Sequence, residues 1–153
     1  MGIALLTSKK SKDPDTQVGC CIVDKDNKVI STGYNGFIKG IDDNKYSWSR
    51  ESSTNGCKYD FTVHSELNAI LNSGDRSLKD ATVYCTLRPC LECTKSLIQA
   101  GISKIYFLNE YCNGNYKFDL AKKLLDDLGI PIIKYEFSEN FKNALEEIKC
   151  LVI

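Results

Sequence analysis

Two hydrophobic periods alternate along this chain. Val18 to Val23 is a short apolar run beside Gly19 and Asp24, the turn-forming Asp24-Lys25-Asp26-Asn27 follows, and Lys28 to Tyr34 is again strand-like. That pattern predicts a β-hairpin. From Asn35 to Asp60 no period is sustained, and Gly36, Gly40 and Gly56 punctuate a polar stretch. A segment that long without regular structure in a compact domain is usually functional. Leu67, Ile70 and Leu71 then repeat at helical spacing before Gly74, which predicts a helix from about His64 to Ser73. Ala81 to Thr86 reads as a strand, Pro89 as a good first helical residue, Leu97 and Ile98 as the apolar face of that helix, and Gly101 as its stop. Lys104 to Leu108 is a further strand. Phe118, Ala121, Leu124, Leu125 and Leu128 line one face of a helix closed by Gly129, Pro131 to Tyr135 is the last strand, and Asn140 to Cys150 a terminal helix.

A hairpin followed by alternating helices and strands predicts an α/β fold with a mixed five-stranded sheet and helices on both faces, because crossover helices must cover parallel strands. With 153 residues and no repeat or linker, the expectation is a single domain over residues 1–153. Lys and Arg number 20 and Asp and Glu number 20, so there is no global charge with which to hold a nucleic acid or an anionic membrane. A small charged substrate is easier to accommodate. No apolar run approaches the ~18 to 20 residues of a membrane span, and MGIALLTSKKSK lacks the apolar core of a signal peptide. These features lead to the expectation of a cytoplasmic protein.

Eight cysteines are many for a reducing compartment. Several lie inside strand-like runs, where a thiol acts as a small buried hydrophobe. Cys90 and Cys93 differ, since their CxxC spacing serves metal chelation or redox chemistry, and the one histidine, His64, is their only imidazole partner. His64-Ser65-Glu66 and Pro89-Cys90-Leu91-Glu92-Cys93 each fall at the start of a predicted helix that follows an extended segment. Two such helix starts can converge on one point. Cys90 and Cys93, three apart, share a helix face, and a helix N-terminus favours the thiolate.

One imidazole and two thiolates leave a fourth tetrahedral position of a zinc ion open, which separates catalytic from structural sites. Two thiolates also cancel the ion's charge, so a base is needed to activate water, and Glu66, two residues from His64, can supply it. A structural zinc would need a fourth ligand, with Cys57 the nearest candidate, and would leave Glu66 unexplained. A redox centre would leave His64-x-Glu66 without a role and lacks the aromatic-Cys-Gly-Pro-Cys pattern.

His-x-Glu with Pro-Cys-x-x-Cys is the signature of zinc-dependent nucleobase deaminases. Together with SKDPDTQVGCCIVD (11–24), STGYNGFIKGIDD (31–43), YDFTVHSELNAI (59–70) and TLRPCLECTKSLIQAGISKIYF (86–107), it makes the chain resemble the deoxycytidylate (dCMP) deaminase family over roughly residues 3–137. The resemblance implies a three-layer α/β/α cytidine-deaminase-like fold and zinc-dependent hydrolysis of dCMP to dUMP and ammonia. Other readings on the same scaffold are deamination of another cytosine nucleotide such as dCTP, or a zinc-stabilised binding module without catalysis. Carried onto this chain, it implies Zn2+ on His64, Cys90 and Cys93, Glu66 as proton shuttle and Asn35 on a sugar hydroxyl; Ser65 and Arg88, the cation nearest the metal motif in sequence, are further substrate-binding candidates. Asn68 supports the site. The loop from Gly36 to Tyr59 matches the family's effector-facing insertion, with Gly33, Gly36 and Asp42 as effector-binding candidates for dCTP and dTTP, and the family's habit implies a homo-oligomer, a hexamer. Arg88 stands where members often carry an aromatic or uncharged residue, with Lys39, Lys45 and Lys117 as rival phosphate partners, and Glu110 to Gly114 replaces a frequent Tyr-His pattern.

Overall fold

The computed structural model describes residues 1–42, 45–51, 54, 56–111 and 116–151. The predicted hairpin forms from β1 (Gly19–Val23) and β2 (Val29–Tyr34), antiparallel, with a register irregularity between Ile22 and Val23. Its turn closes because the Asp24 carboxylate accepts from the backbone N–H of Asp26 and Lys28, while Asn27 takes a positive φ of 61°. Strands β5 (Thr82–Leu87), β6 (Lys104–Asn109) and β7 (Ile132–Lys134) complete a five-stranded sheet of order β2-β1-β5-β6-β7. The β2, β1 and β5 neighbours pair antiparallel and the β5, β6 and β7 neighbours parallel, as the alternating pattern requires.

Helices cover both faces. On one, Ala69 of α3 (Ser65–Asn72), Leu97 of α4 (Leu91–Gln99) and Leu125 of α5 (Tyr116–Asp127) pack on Cys20, Ile22, Val83, Cys85 and Ile105. On the other, Ala4 of α1 (Gly2–Ser8) packs on Cys21 and Val23. Phe141 of α6 (Glu139–Leu151) lies against Gly2, and it stacks on Phe137, whose neighbour Tyr135 meets Tyr84 and Tyr106 edge-on. Every residue of β1 is buried, which is why that strand reads as continuously apolar.

Three features depart from the periodicity. Helix α1 is too short for a sustained amphipathic repeat, since in seven residues only Ala4 and Ser8, one turn apart, are buried. Pro89 is not the first helical residue: it is fully buried in the link after β5, Cys90 caps α4 in an extended conformation, and the helix starts at Leu91. The aperiodic stretch is closed at its base by a two-stranded pair, β3 (Gly36–Phe37) with β4 (Thr62–Val63), and by the short helix α2 (Lys58–Phe61). It carries its own small aromatic core. Phe37 stacks on Trp48 at 4.0 Å between ring centres, and Tyr46 meets Phe61 at 4.6 Å.

Candidate active site

The two chemical motifs meet as their spacing predicts. His64 caps α3 directly after β4, and Cys90 caps α4 after β5. An N-cap residue keeps extended backbone while its carbonyl starts the helix, so its side chain stands beside the helix N-terminus. The Sγ atoms of Cys90 and Cys93 lie 3.5 and 3.4 Å from His64 Nδ1, and the three donor atoms all fall within 4.8 Å of one another. Among the described residues this group stays at three, and neither Cys57 nor Glu66 joins it. One nitrogen and two sulfurs at this separation suit zinc and leave a coordination position open.

The electrostatics prepare the ligands. A hydrogen bond from the Cys93 thiol, reinforced by His64, holds the Cys90 pKa at about 4, so Cys90 is a thiolate at neutral pH. Cys93, donating to Cys90 and buried, keeps its proton far above the ordinary thiol range. His64 is shifted upward by its hydrogen bond with Cys90. Glu66 is 4% exposed, and burial raises its carboxyl above the usual value, although Ser65 Oγ donates to Oε2 at 2.9 Å.

Asn35, His64, Ser65, Glu66, Arg88 and Cys90 line a single cleft. Asn35 is already engaged there: Oδ1 accepts from Val18 N–H at 2.8 Å, and Nδ2 donates to the Thr16 carbonyl at 2.9 Å and, at 3.5 Å, to Asp13. Arg88 reaches in from the end of β5, donating from Nη1 to Glu110 at 3.0 Å and from Nη2 to the Phe118 carbonyl at 3.3 Å. Asn68 points away, donating to the Tyr34 carbonyl at 2.8 Å and so tying α3 to the end of β2. Lys39 and Lys45 lie outside the cleft lining, while Lys117 borders an adjoining depression beside Cys90 and Phe118.

The effector candidates scatter. Gly33 is buried beneath α3, where a Cβ would come 2.2 Å from the Ser65 carbonyl oxygen. Gly36 opens β3, and Asp42 lies farther along the same loop, away from the cleft lining. Cys112 to Gly114, in the segment that replaces the Tyr-His pattern, falls outside the described residues.

Sequence reasoning missed the opposite wall. Lys58, its side chain 4% exposed, donates to both carboxylate oxygens of Asp13 at 2.9 and 3.0 Å and to Asp15 at 3.1 Å. The Lys58 hydrogen bond lowers the Asp15 pKa, and Arg50 adds a further donor at 3.1 Å. No spacing rule links positions 13 and 58. The one available hint was two acids bracketing Pro14 at a turn.

The family model described as the cytidine and deoxycytidylate deaminase zinc-binding region matches residues 1–109. The chain belongs to this family. Among deaminase relatives, a probable deoxycytidylate deaminase of Caenorhabditis elegans is 47% identical over 84% of this chain, and the human deoxycytidylate deaminase is 37% identical over 88%. The chain spans 64% of the length of the nematode relative and 76% of the human one. A deaminase structure with the same fold is that of dCMP deaminase from the cyanophage S-TIM5 in complex with dCMP and dUMP. It has a TM-score of 0.69 and 27% identity, and the match covers 88% of this chain and 92% of that one. The zinc of this deaminase family fits the donor set found here, with His64, Cys90 and Cys93 as its ligands. No described helix is long and apolar enough to cross a membrane.

Proposed function

We propose that the chain hydrolyses dCMP to dUMP and ammonia, and the observation that carries this is a buried carboxylate, Glu66, beside a three-donor metal site on the wall of an open cleft. The relatives named deoxycytidylate deaminase and the cyanophage complex with dCMP and dUMP support that substrate. Zinc on His64, Cys90 and Cys93 would supply the Lewis acidity that activates a water for attack on C4 of cytosine. Glu66 then moves protons. It passes one of the water's hydrogens to N3 of the ring and the second to the departing amine, so the ring gains a carbonyl oxygen and ammonia leaves. Ser65 holds Glu66 Oε2 through its hydroxyl and keeps the carboxylate turned to the site. Asn35 meets the sugar, and Arg88 meets the 5′-phosphate with the forked donors that suit phosphate.

The whole of residues 1–153 serves as one deaminase domain in this reading, working as a homo-oligomer, a hexamer, in the cytoplasm. Exposed Leu67 and Leu71 on α3 and Leu120, Leu124 and Leu128 on α5 support self-association, and the need to keep Cys90 and Cys93 reduced supports a reducing compartment. The loop from Gly36 to Tyr59 receives dCTP as activator and dTTP as inhibitor. Zinc content together with ammonia release from dCMP, dCTP, CMP and deoxycytidine tests the reading. Ammonia from dCMP at the highest kcat/KM is the expected result, preference for dCTP would move the chain to triphosphates, and zinc without any ammonia would make it a binding module.

A further inference from the structure

Two lysine or arginine side chains occur among the described residues that line the cleft, Lys58 and Arg88. Lys58 is spent, because its ammonium is directed at three oxygens of Asp13 and Asp15. Arg88 is not. Its side chain is 15% exposed, Nη1 rests on Glu110, Nη2 on a backbone carbonyl, and Nε is buried with no partner.

Glu110 is not what holds Arg88 in place. The Arg88 backbone N–H donates to the Asn109 carbonyl at 2.8 Å, and the guanidinium carbon lies 5.8 Å from the ring centres of both Phe107 and Phe118. Glu110 itself is 44% exposed and makes one contact to the fork. An ion pair of that kind is weak and readily exchanged. A phosphate monoester brings more negative charge and three acceptor oxygens, so it offers Nη1 a stronger acceptor than the single carboxylate oxygen that Glu110 places there.

Resting on the deaminase reading above, we propose that Glu110 is a placeholder for the nucleotide's 5′-phosphate on Arg88, displaced when a phosphorylated substrate enters. Glu110 pairs with Arg88 while the cleft is vacant and competes with the incoming anion. The strength of that competition sets how far the cleft prefers a nucleoside monophosphate to the bare nucleoside.

The test uses the zinc-loaded full chain and the ratio of kcat/KM for dCMP to that for deoxycytidine. Removing the competing charge with Glu110→Gln raises the ratio by about threefold or more, within what a half-exposed ion pair can hold back, and inorganic phosphate becomes a stronger inhibitor. Arg88→Ala lowers the ratio by about tenfold or more, the loss expected for hydrogen bonds to a charged group. In the Arg88→Ala background Glu110→Gln no longer moves the ratio, since the pair acts as a unit. A lower ratio in Glu110→Gln would overturn the proposal and make Glu110 a support for Arg88, an unchanged ratio would overturn it by showing that Glu110 does not compete, and an unchanged ratio in Arg88→Ala would place the phosphate elsewhere. If no cytosine compound releases ammonia, it is the deaminase reading that fails. Equilibrium binding of dUMP against deoxyuridine to the same variants then reads the phosphate contact by itself, with the same directions expected and the same reversals overturning it.

Discussion

Burial pushes the Glu66 carboxyl upward while the Ser65 hydroxyl partly restrains the shift, and the result is a group suited to take up and give back a proton. Glu66→Gln removes that capacity without touching a metal donor. Zinc content should stay at the wild-type value while kcat falls by about 100- to 10,000-fold; loss of zinc, or activity within about tenfold of wild type, would contradict this role. The pair on the opposite wall behaves differently, because Lys58 and Asp13 are both about as buried as side chains become, at 4% exposure each. Lys58→Ala leaves Asp13 without its principal partner, for an expected loss of about 3–5 kcal/mol in urea unfolding. Replacing both, as Lys58→Met with Asp13→Leu, should recover much of that stability, and failure to recover any would mean that the surrounding wall depends on the charges themselves.

Helices α1 and α3 approach the sheet through glycines. A Cβ on Gly33 would fall 2.2 Å from the Ser65 carbonyl oxygen and 2.4 Å from the Ala69 nitrogen, both backbone atoms that no rotamer change can move. Gly33→Ala therefore pushes the helix that carries His64 and Glu66 away from the strand beneath it. The expected outcome is a destabilisation of about 1–3 kcal/mol or more in thermal unfolding, with a larger fractional loss of activity than of zinc. The strands were legible in the sequence because β1, β5 and β6 are short apolar runs bounded by glycine or charged turns, and α4 because Leu97 lies on its buried face; α3 was legible from the spacing of Leu67, Ile70 and Leu71, although Leu67 and Leu71 are exposed and its buried residues are Ser65, Glu66 and Ala69. The metal site was legible for a related reason: Cys90 sits at a strand-to-helix transition and His64 at a helix start that local pattern reveals. Helix α1 and the β3–β4 pair were not, since seven residues with two buried positions make no period and two-residue strands carry no alternation. The Lys58–Asp13 contact joins segments far apart in sequence, and Glu110 acquires its role only when β6 brings it beside the end of β5.

For the molecule as a whole, zinc binding and proton binding are linked. Cys90 is already a thiolate at neutral pH with its pKa at about 4, whereas Cys93 is shifted far upward and holds a proton that the metal must displace, and His64 is shifted upward by its hydrogen bond with Cys90. Raised ligand pKa values make affinity fall as pH falls. Titrating zinc into the metal-free protein near neutral pH should release about one to two protons, measured by calorimetry in buffers of different ionisation enthalpy; no release would contradict the assigned protonation. A metal held by His64, Cys90 and Cys93 would tie the starts of α3 and α4 together, so chelation should also lower the melting temperature. The committed amide of Asn35 bears on what kind of molecule can be read here. Val18 occupies one lone pair of Oδ1, and both hydrogens of Nδ2 point to Thr16 and Asp13, so a sugar oxygen arriving at this residue finds an acceptor and no spare donor. It must bring its own hydrogen. A free 3′-hydroxyl does so, while a residue inside a polynucleotide carries a phosphodiester at that oxygen, so an Asn35 that meets the sugar as proposed would distinguish a loose monomer or a strand's last unit from a cytosine embedded in a polymer.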